Sequence, residues 1–191
     1  MKELNRREFL TLSGAAVVAL SLAGCGAPSA PPAPPAAPTG KEAELLTAIN
    51  KVWKEKHALG LVDYEQLTLN QEAQGAIKIQ GGIFEDAKES VHTLTTEDMK
   101  KLVEIQEWKI SLEKKYDLGG AAGISEPTGE EGNMEISLTY AYSCEDAVVQ
   151  KFVDKIMEYS LSRKAEFIRI YCPVVQSTTY MIATVFWNKT A

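Results

Sequence analysis

The segment at residues 27–40 constrains the fold most, because six of its fourteen residues are proline. The other positions carry only alanine, serine, threonine or glycine. Such a segment has no side chains with which to build a hydrophobic core, and its prolines favour extended polyproline II geometry. It predicts a semi-rigid tether, over residues 25–40, that precedes a single folded domain at residues 41–191.

The residues before this tether have the layout of an export signal. Arg6 and Arg7 precede a short apolar run at residues 15–20, and Leu-Ala-Gly stands directly before Cys25. The run is too short to span the hydrocarbon core of a bilayer, and the whole pattern is typical of a secretory signal. Leu-Ala-Gly-Cys resembles the lipobox of bacterial lipoproteins. That resemblance implies that residues 1–24 are a cleaved signal peptide and that lipid is attached to Cys25.

The paired arginines suggest the export route. Residues 5–10 resemble the twin-arginine consensus, whose route carries folded proteins. The alternative is an ordinary basic N-terminus, which needs only positive charge. In both cases we expect an extracytoplasmic domain anchored to the cell membrane by lipid.

Net charge excludes one class of partner. The chain has 20 basic and 26 acidic side chains. Without residues 1–24, 17 basic and 24 acidic side chains remain, a net charge of −7. An acidic chain without a basic cluster is not expected to bind nucleic acid, or to dock electrostatically on anionic lipid.

Cysteine usage leaves one crosslink open. With Cys25 committed to lipid, Cys144 and Cys172 remain, and in an oxidising compartment they can form a disulfide. The alternative is two separate buried thiols that pack as small apolar groups. Since the sequence has no CxxC motif and no cysteine–histidine cluster with zinc spacing, we expect no metal and no cofactor.

Hydrophobic periodicity predicts an α+β domain. The spacing of apolar residues indicates helices first, and then strands with one further helix between them. Glycine pairs are interpreted as a helix end at Gly81-Gly82 and as the start of a long loop at Gly119-Gly120. The predicted elements are helices at 41–57, 70–80, 96–115 and 145–159, a strand at 134–142, and a hairpin of strands at 167–172 and 179–187.

The order and spacing of three stretches resemble the CAP superfamily of cysteine-rich secretory, antigen 5 and pathogenesis-related (SCP-like) proteins. The resemblance implies a three-layer α-β-α sandwich with a small antiparallel sheet, and a shallow cleft that in the family usually holds two histidines and two acidic residues. The stretches are residues 45–50 with 57–60 and 67–70, residues 145–168, and residues 180–187.

Most of the cleft residues of that family have no counterpart in this chain. His92 and Glu135 fall near two of the family's cleft positions, whereas Arg163 replaces the histidine of the third. The final-strand position is occupied by Met181 or a neighbour. One imidazole and one carboxylate are too few ligands for zinc, and a guanidinium repels a cation. We therefore expect no catalytic set and no bound metal.

These observations favour a non-catalytic binding or interaction domain. Its expected partners are the membrane, through the lipid on Cys25, and an envelope protein, peptide or glycan. A few strand aromatics are candidates to line a ligand groove. Two alternatives stay open: an envelope hydrolase or metal-binding enzyme that uses His92 and Glu135, and a structural lipoprotein subunit of an envelope complex. The groove candidates are Tyr140, Tyr142, Tyr171, Tyr180 and Trp187.

Overall fold

The computed structural model describes residues 40–130 and 133–189. The predicted signal peptide, Cys25 and nearly all of the tether lie outside these residues. The described chain contains four α-helices, a short 3-10 helix at Ser160–Lys164 and eight strands. The helices are α1 (Lys41–Ala58), α2 (Gln74–Ala87), α3 (Thr96–Leu112) and α4 (Asp146–Met157). The strands are β1 (Thr68–Leu69), β2 (Val91–Thr93), β3 (Tyr116–Ala122), β4 (Glu135–Ser137), β5 (Phe167–Tyr171), β6 (Val174–Val175), β7 (Thr178–Thr179) and β8 (Ile182–Asn188).

A four-stranded sheet forms the centre of the domain, in the order β1-β5-β8-β3. The predicted pairing of the last two long strands is confirmed, because β5 and β8 run antiparallel from Phe167 opposite Phe186 to Tyr171 opposite Ile182. β3 is also antiparallel to β8, whereas the two-residue β1 is parallel to β5. The sheet is therefore mixed, and β3 is one of its two edges.

Helices α1 and α4 cover one face of the sheet. Each helix buries an apolar stripe at helical spacing, which is why these segments fold as amphipathic helices. The two helices run parallel, because Lys51 pairs with Asp146 and Lys56 pairs with Asp154, each at 2.6 Å. Their buried side chains are Leu45, Ile49, Val52 and Trp53 of α1 and Val149, Phe152, Val153 and Ile156 of α4.

Helices α2 and α3 supply the layer on the other face. Ile77 and Phe84 of α2 and Ile105 of α3 belong to the same buried cluster as Phe186 of β8. A second cluster, on the α1 and α4 side, contains Val185 of β8, because successive strand residues face opposite sides. The α+β class is thus confirmed, with helices on both faces of a small sheet.

Two predictions based on glycine are wrong. Gly81-Gly82 does not end a helix but lies inside α2, where a side chain at Gly81 would collide with the ring of Tyr171. Gly119-Gly120 does not begin a loop but lies inside β3, where a Cβ on Gly120 would collide with the carbonyl oxygen of Ile156. In both places glycine permits close packing between elements instead of breaking one.

None of the helices described here is long and apolar enough to cross a membrane.

Candidate functional site

A groove of about 790 Å³ follows β3 at the free edge of the sheet. It reaches from the α2 layer to the end of α4, so both helical layers contribute side chains. Its long wall is the continuous run of residues 119–126. The remaining lining residues are Ile77, Gln80, Thr139, Tyr140, Lys155, Glu158, Tyr159, Ile182, Ala183 and Thr184.

Two tyrosines give the groove aromatic surface. Tyr140 is held by an edge-to-face contact with Phe152, with ring centroids 5.1 Å apart, and its hydroxyl donates to the carbonyl of Lys151 at 3.5 Å. Tyr159 follows α4 and is 46% exposed. A fixed ring and an exposed ring in one concavity suit a ligand with both apolar and polar groups.

Charged side chains lie at the α4 end of the groove. Lys155 donates to Glu158 at 2.5 Å, and this hydrogen bond raises the pKa of the Lys155 ammonium. Glu126, which also lines the groove, adds to the effect through its negative charge. The groove thus offers both signs of charge beside its aromatic surface.

A buried arginine lies beneath the groove. Arg169 of β5 is directly opposite Thr184 of β8, and its Nη2 donates to the Thr184 hydroxyl at 3.4 Å. Only 1% of Arg169 is exposed, and burial lowers the pKa of its guanidinium. Because Thr184 lines the groove, this arginine is hydrogen-bonded to a residue of the groove wall.

His92 lies elsewhere, in a corner between β2 and α3 that we call the β2–α3 corner (His92, Thr95 and Asp98). Its Nε2 is 2.8 Å from Oδ2 of Asp98, which also accepts from the backbone and hydroxyl of Thr95 at 2.9 and 2.6 Å. Thr95 in turn accepts from the Asp98 backbone at 3.2 Å. This is a capping box: in the sequence, Thr95 or Thr96 with Glu97 and Asp98 predicts the start of a helix, and the structure has the cap at Thr95.

The pKa of Asp98 reflects that network. Burial alone would raise it, but hydrogen bonds from Thr95 and His92 outweigh burial and lower the pKa of the carboxyl. Asp98 is therefore a charged structural acceptor at the start of α3, and His92 is one of its donors.

The three predicted cleft residues do not come together. In the β2–β4 ladder His92 is opposite Ile136, whereas Glu135 is opposite Thr93. His92 and Glu135 thus point to opposite faces of this ladder. Arg163 lies in the 3-10 helix and pairs with Asp63 at 2.9 Å. Met181, proposed to replace a cleft histidine, is fully buried in the core beneath α1 and α4.

The two cysteines of the domain carry free thiols in this structure. Cys144 is exposed and its Sγ lies 3.4 Å from the hydroxyl of Tyr142. Cys172 is buried, and burial raises the pKa of its thiol to about 12. The disulfide between them stays a prediction.

Nothing in the described part of the chain resembles a metal site. Among residues 40–130 and 133–189, no three His, Cys, Asp or Glu side chains are grouped so that they could hold a metal ion.

Comparison with known proteins gives no further guide, because no family model, no curated protein and no solved structure matches the chain.

Sequence reasoning found one residue of the groove and missed the others. Tyr140 is among the strand aromatics proposed to line a groove. Tyr159 and Lys155 carry no local signal, since a tyrosine and a lysine near a helix end are common on any surface. The small residues of β3 predict a loop and not part of a site, because a glycine-rich run is typical of a loop.

Proposed function

We propose that this protein is a lipid-anchored extracytoplasmic binding protein, and that the groove along β3 takes its ligand. The ligand class that fits is a peptide or glycan of the cell envelope. The observation that carries the proposal is the groove itself: it is open, is lined by two tyrosines and carries charges of both signs.

The anchor rests on the N-terminal sequence. Leu-Ala-Gly-Cys follows a basic start and a short apolar run, and a proline-rich segment separates Cys25 from the first helix. This layout would hold a binding domain at a membrane surface while leaving its groove accessible.

The proposal of a non-catalytic role rests on the side chains that line the groove. Among the described residues, the lining contains no histidine, cysteine or aspartate, and of its two glutamates Glu158 is ion-paired with Lys155 at 2.5 Å. His92 is engaged by Asp98 outside the groove. The described side chains of the groove therefore favour binding and orientation over nucleophilic or general-base chemistry.

Lipid attachment is tested by metabolic labelling with a clickable fatty acid in a bacterium that expresses the full chain. We expect the label on the wild-type protein and on Cys144→Ser, and its loss in Cys25→Ser. Labelling that survives Cys25→Ser, or that is absent from the wild type, would contradict the proposed anchor.

Ligand binding is tested by calorimetry with soluble peptidoglycan fragments, which contain both peptide and glycan. We expect Tyr159→Ser to weaken binding at least about fivefold, because an exposed ring that stacks on a ligand contributes about 1 kcal/mol or more. Tyr64→Ser is the matched control, since Tyr64 is 45% exposed but lies outside the groove. Equal affinities for the two variants, or no binding by the wild type, would reject this ligand class for the groove.

A further inference from the structure

Four exposed apolar side chains lie on two neighbouring segments at one end of the domain, and we call them the distal patch (Leu59, Leu61, Tyr64 and Leu161). Leu59 is 74% exposed and the other three are between 43% and 50% exposed. The first three belong to the loop after α1, and Leu161 belongs to the 3-10 helix after α4. Large apolar side chains grouped on a surface indicate a contact site.

The two segments that form the patch are joined directly. Asp63 donates its backbone N–H to the carbonyl of Arg163 at 2.8 Å, and the Arg163 guanidinium donates to the Asp63 carboxylate at 2.9 Å. The two segments that carry the distal patch are therefore bonded to each other and are not two independent loops.

Helix geometry places the patch far from the point where the tether enters the domain. Because α1 and α4 run parallel, their C-terminal ends meet at the same end of the molecule. The tether joins α1 at Lys41, and the 18 residues of α1 span about 27 Å. The patch and the tether thus lie at opposite ends of the α1–α4 layer.

The size and shape of the patch decide which partner suits it. Four side chains offer on the order of a few hundred Å², whereas a stable protein–protein contact needs about 800 Å² from each partner. Leu59 and Leu61 flank Gly60, which has a left-handed φ of 71°, so the two leucines form the tip of a turn. A protruding turn with leucines and a nearby tyrosine suits insertion into the interfacial region of a bilayer.

The length of the tether makes such a contact reachable. Sixteen residues, 25–40, can extend to about 50 Å, which exceeds the length of α1. A domain held that close to a bilayer meets it at high effective concentration, so that a small apolar contact is enough to orient it.

We propose that the distal patch inserts into the bilayer to which the chain is anchored, so that the domain lies along the membrane and is held at both ends of α1. This inference rests on the proposed lipid anchor. The interaction is apolar and not electrostatic, which agrees with the net acidic charge of the chain.

The test replaces the lipid with a synthetic attachment, so that its result does not depend on acylation. The chain from residue 25 to residue 191, which contains every described residue, carries an N-terminal hexahistidine tag on phosphatidylcholine vesicles with nickel-chelating lipid. A fluorophore is placed at Leu61→Cys, in a background of Cys25→Ser and Cys144→Ser. The control position is Ile110→Cys, which is 57% exposed on α3.

Quenching by doxyl-labelled lipid is the readout. We expect quenching at position 61 to exceed that at position 110 about twofold or more, because inserted side chains reach 5–10 Å into the interface. Leu59→Ser with Leu161→Ser should remove the difference, whereas the exposed Val174→Ser should leave it unchanged. Equal quenching at the two positions would overturn the proposal.

Two further outcomes separate this inference from its alternatives. A blue shift at position 61 that needs no vesicles and grows with protein concentration would overturn it in favour of contact between two copies of the chain. Absence of the fatty-acid label from the wild-type chain would count against the anchor, while the vesicle result would still decide what the patch contacts.

Discussion

The groove along β3 and the β2–α3 corner use their side chains in opposite ways. The corner contains His92, a candidate catalytic residue in the sequence, yet His92 is bonded to Asp98, which also accepts from Thr95 at the start of a helix. The described lining of the groove has neither histidine nor aspartate, and the groove is nevertheless an open concavity. Residue type alone therefore did not locate the site.

The difference follows from what each region must do. A helix start leaves backbone N–H groups without partners, and a carboxylate with a hydroxyl satisfies some of them. A groove needs an edge that no strand covers and walls that approach closely. At β3 the glycines provide that close approach, since Gly120 donates its backbone N–H to the buried hydroxyl of Ser162 at 2.8 Å.

The largest expected effect concerns the groove wall. Gly120→Ala should destabilise the domain by about 3 kcal/mol, because the new Cβ would meet the carbonyl of Ile156 and backbone must shift. Gly82→Ala is the matched control: nothing lies within 4 Å of a Cβ there, and alanine in a helix should stabilise by about 0.5 kcal/mol or more. Urea denaturation measures both. Similar effects for the two variants would refute our explanation of the β3 glycines.

The next effect concerns the corner. Asp98→Ala should cost about 2 kcal/mol in the free energy of unfolding, since it removes the acceptor for Thr95 and His92 and exposes the start of α3. Asp86→Ala removes an exposed ion pair with Lys101 and should cost less than about 0.5 kcal/mol. If both variants unfold at the same urea concentration, Asp98 has no structural role.

The contribution of Asp98 should also depend on pH, in a known direction. Its pKa is lower in the folded chain than in the unfolded chain, where an aspartate titrates near 3.9. The charged form therefore stabilises the fold fully above about pH 5, and this stabilisation is lost as the pH falls through the folded pKa. The stability difference between wild type and Asp98→Asn should shrink between about pH 5 and pH 3. A difference that grows on acidification would contradict the network.

A smaller effect is expected at Arg163, which sequence analysis placed in a cleft. Arg163→Ala should cost less than about 1 kcal/mol, because its pair with Asp63 is about half exposed and is screened by salt. The cost should fall further in 1 M salt, measured by the same denaturation. A loss of several kcal/mol that is insensitive to salt would show that the arginine belongs to a buried network.

The sequence predicted most of the fold because its helices carry strong local signals. The apolar spacing of α1 and the capping pattern of Thr95 or Thr96 with Glu97 and Asp98 are local features, and both predict a helix where the structure has one. The predictions from the glycine pairs were wrong because the contacts that require glycine are not local. Gly81 faces Tyr171, 90 positions further along the chain, and Gly120 faces Ile156.

The site was less predictable for the same reason. Its residues come from α2, β3, the end of α4 and β8, and only the folded sheet brings them together. The resemblance to a family cleft linked His92, Glu135 and Arg163. In the structure, the register of the β2–β4 ladder places His92 and Glu135 on opposite faces, and Arg163 is paired with Asp63. Tyr140 was a candidate because an aromatic side chain on a predicted strand suggests a surface that faces a ligand, although β4 ends at Ser137 and Tyr140 follows it.

The most direct test of the central claim uses the backbone amides of the groove wall. Gly119, Gly120 and Gly123 line the groove, whereas Gly60 and Gly129 lie outside it, so nitrogen-15 spectra contain both the site and its control. On titration with soluble peptidoglycan fragments, we predict that the amide signals of the three groove glycines shift with one common affinity while those of the two control glycines stay fixed. Shifts confined to Gly60 and Gly129, or the absence of any shift in the groove glycines, would contradict the assignment of the groove as the ligand site.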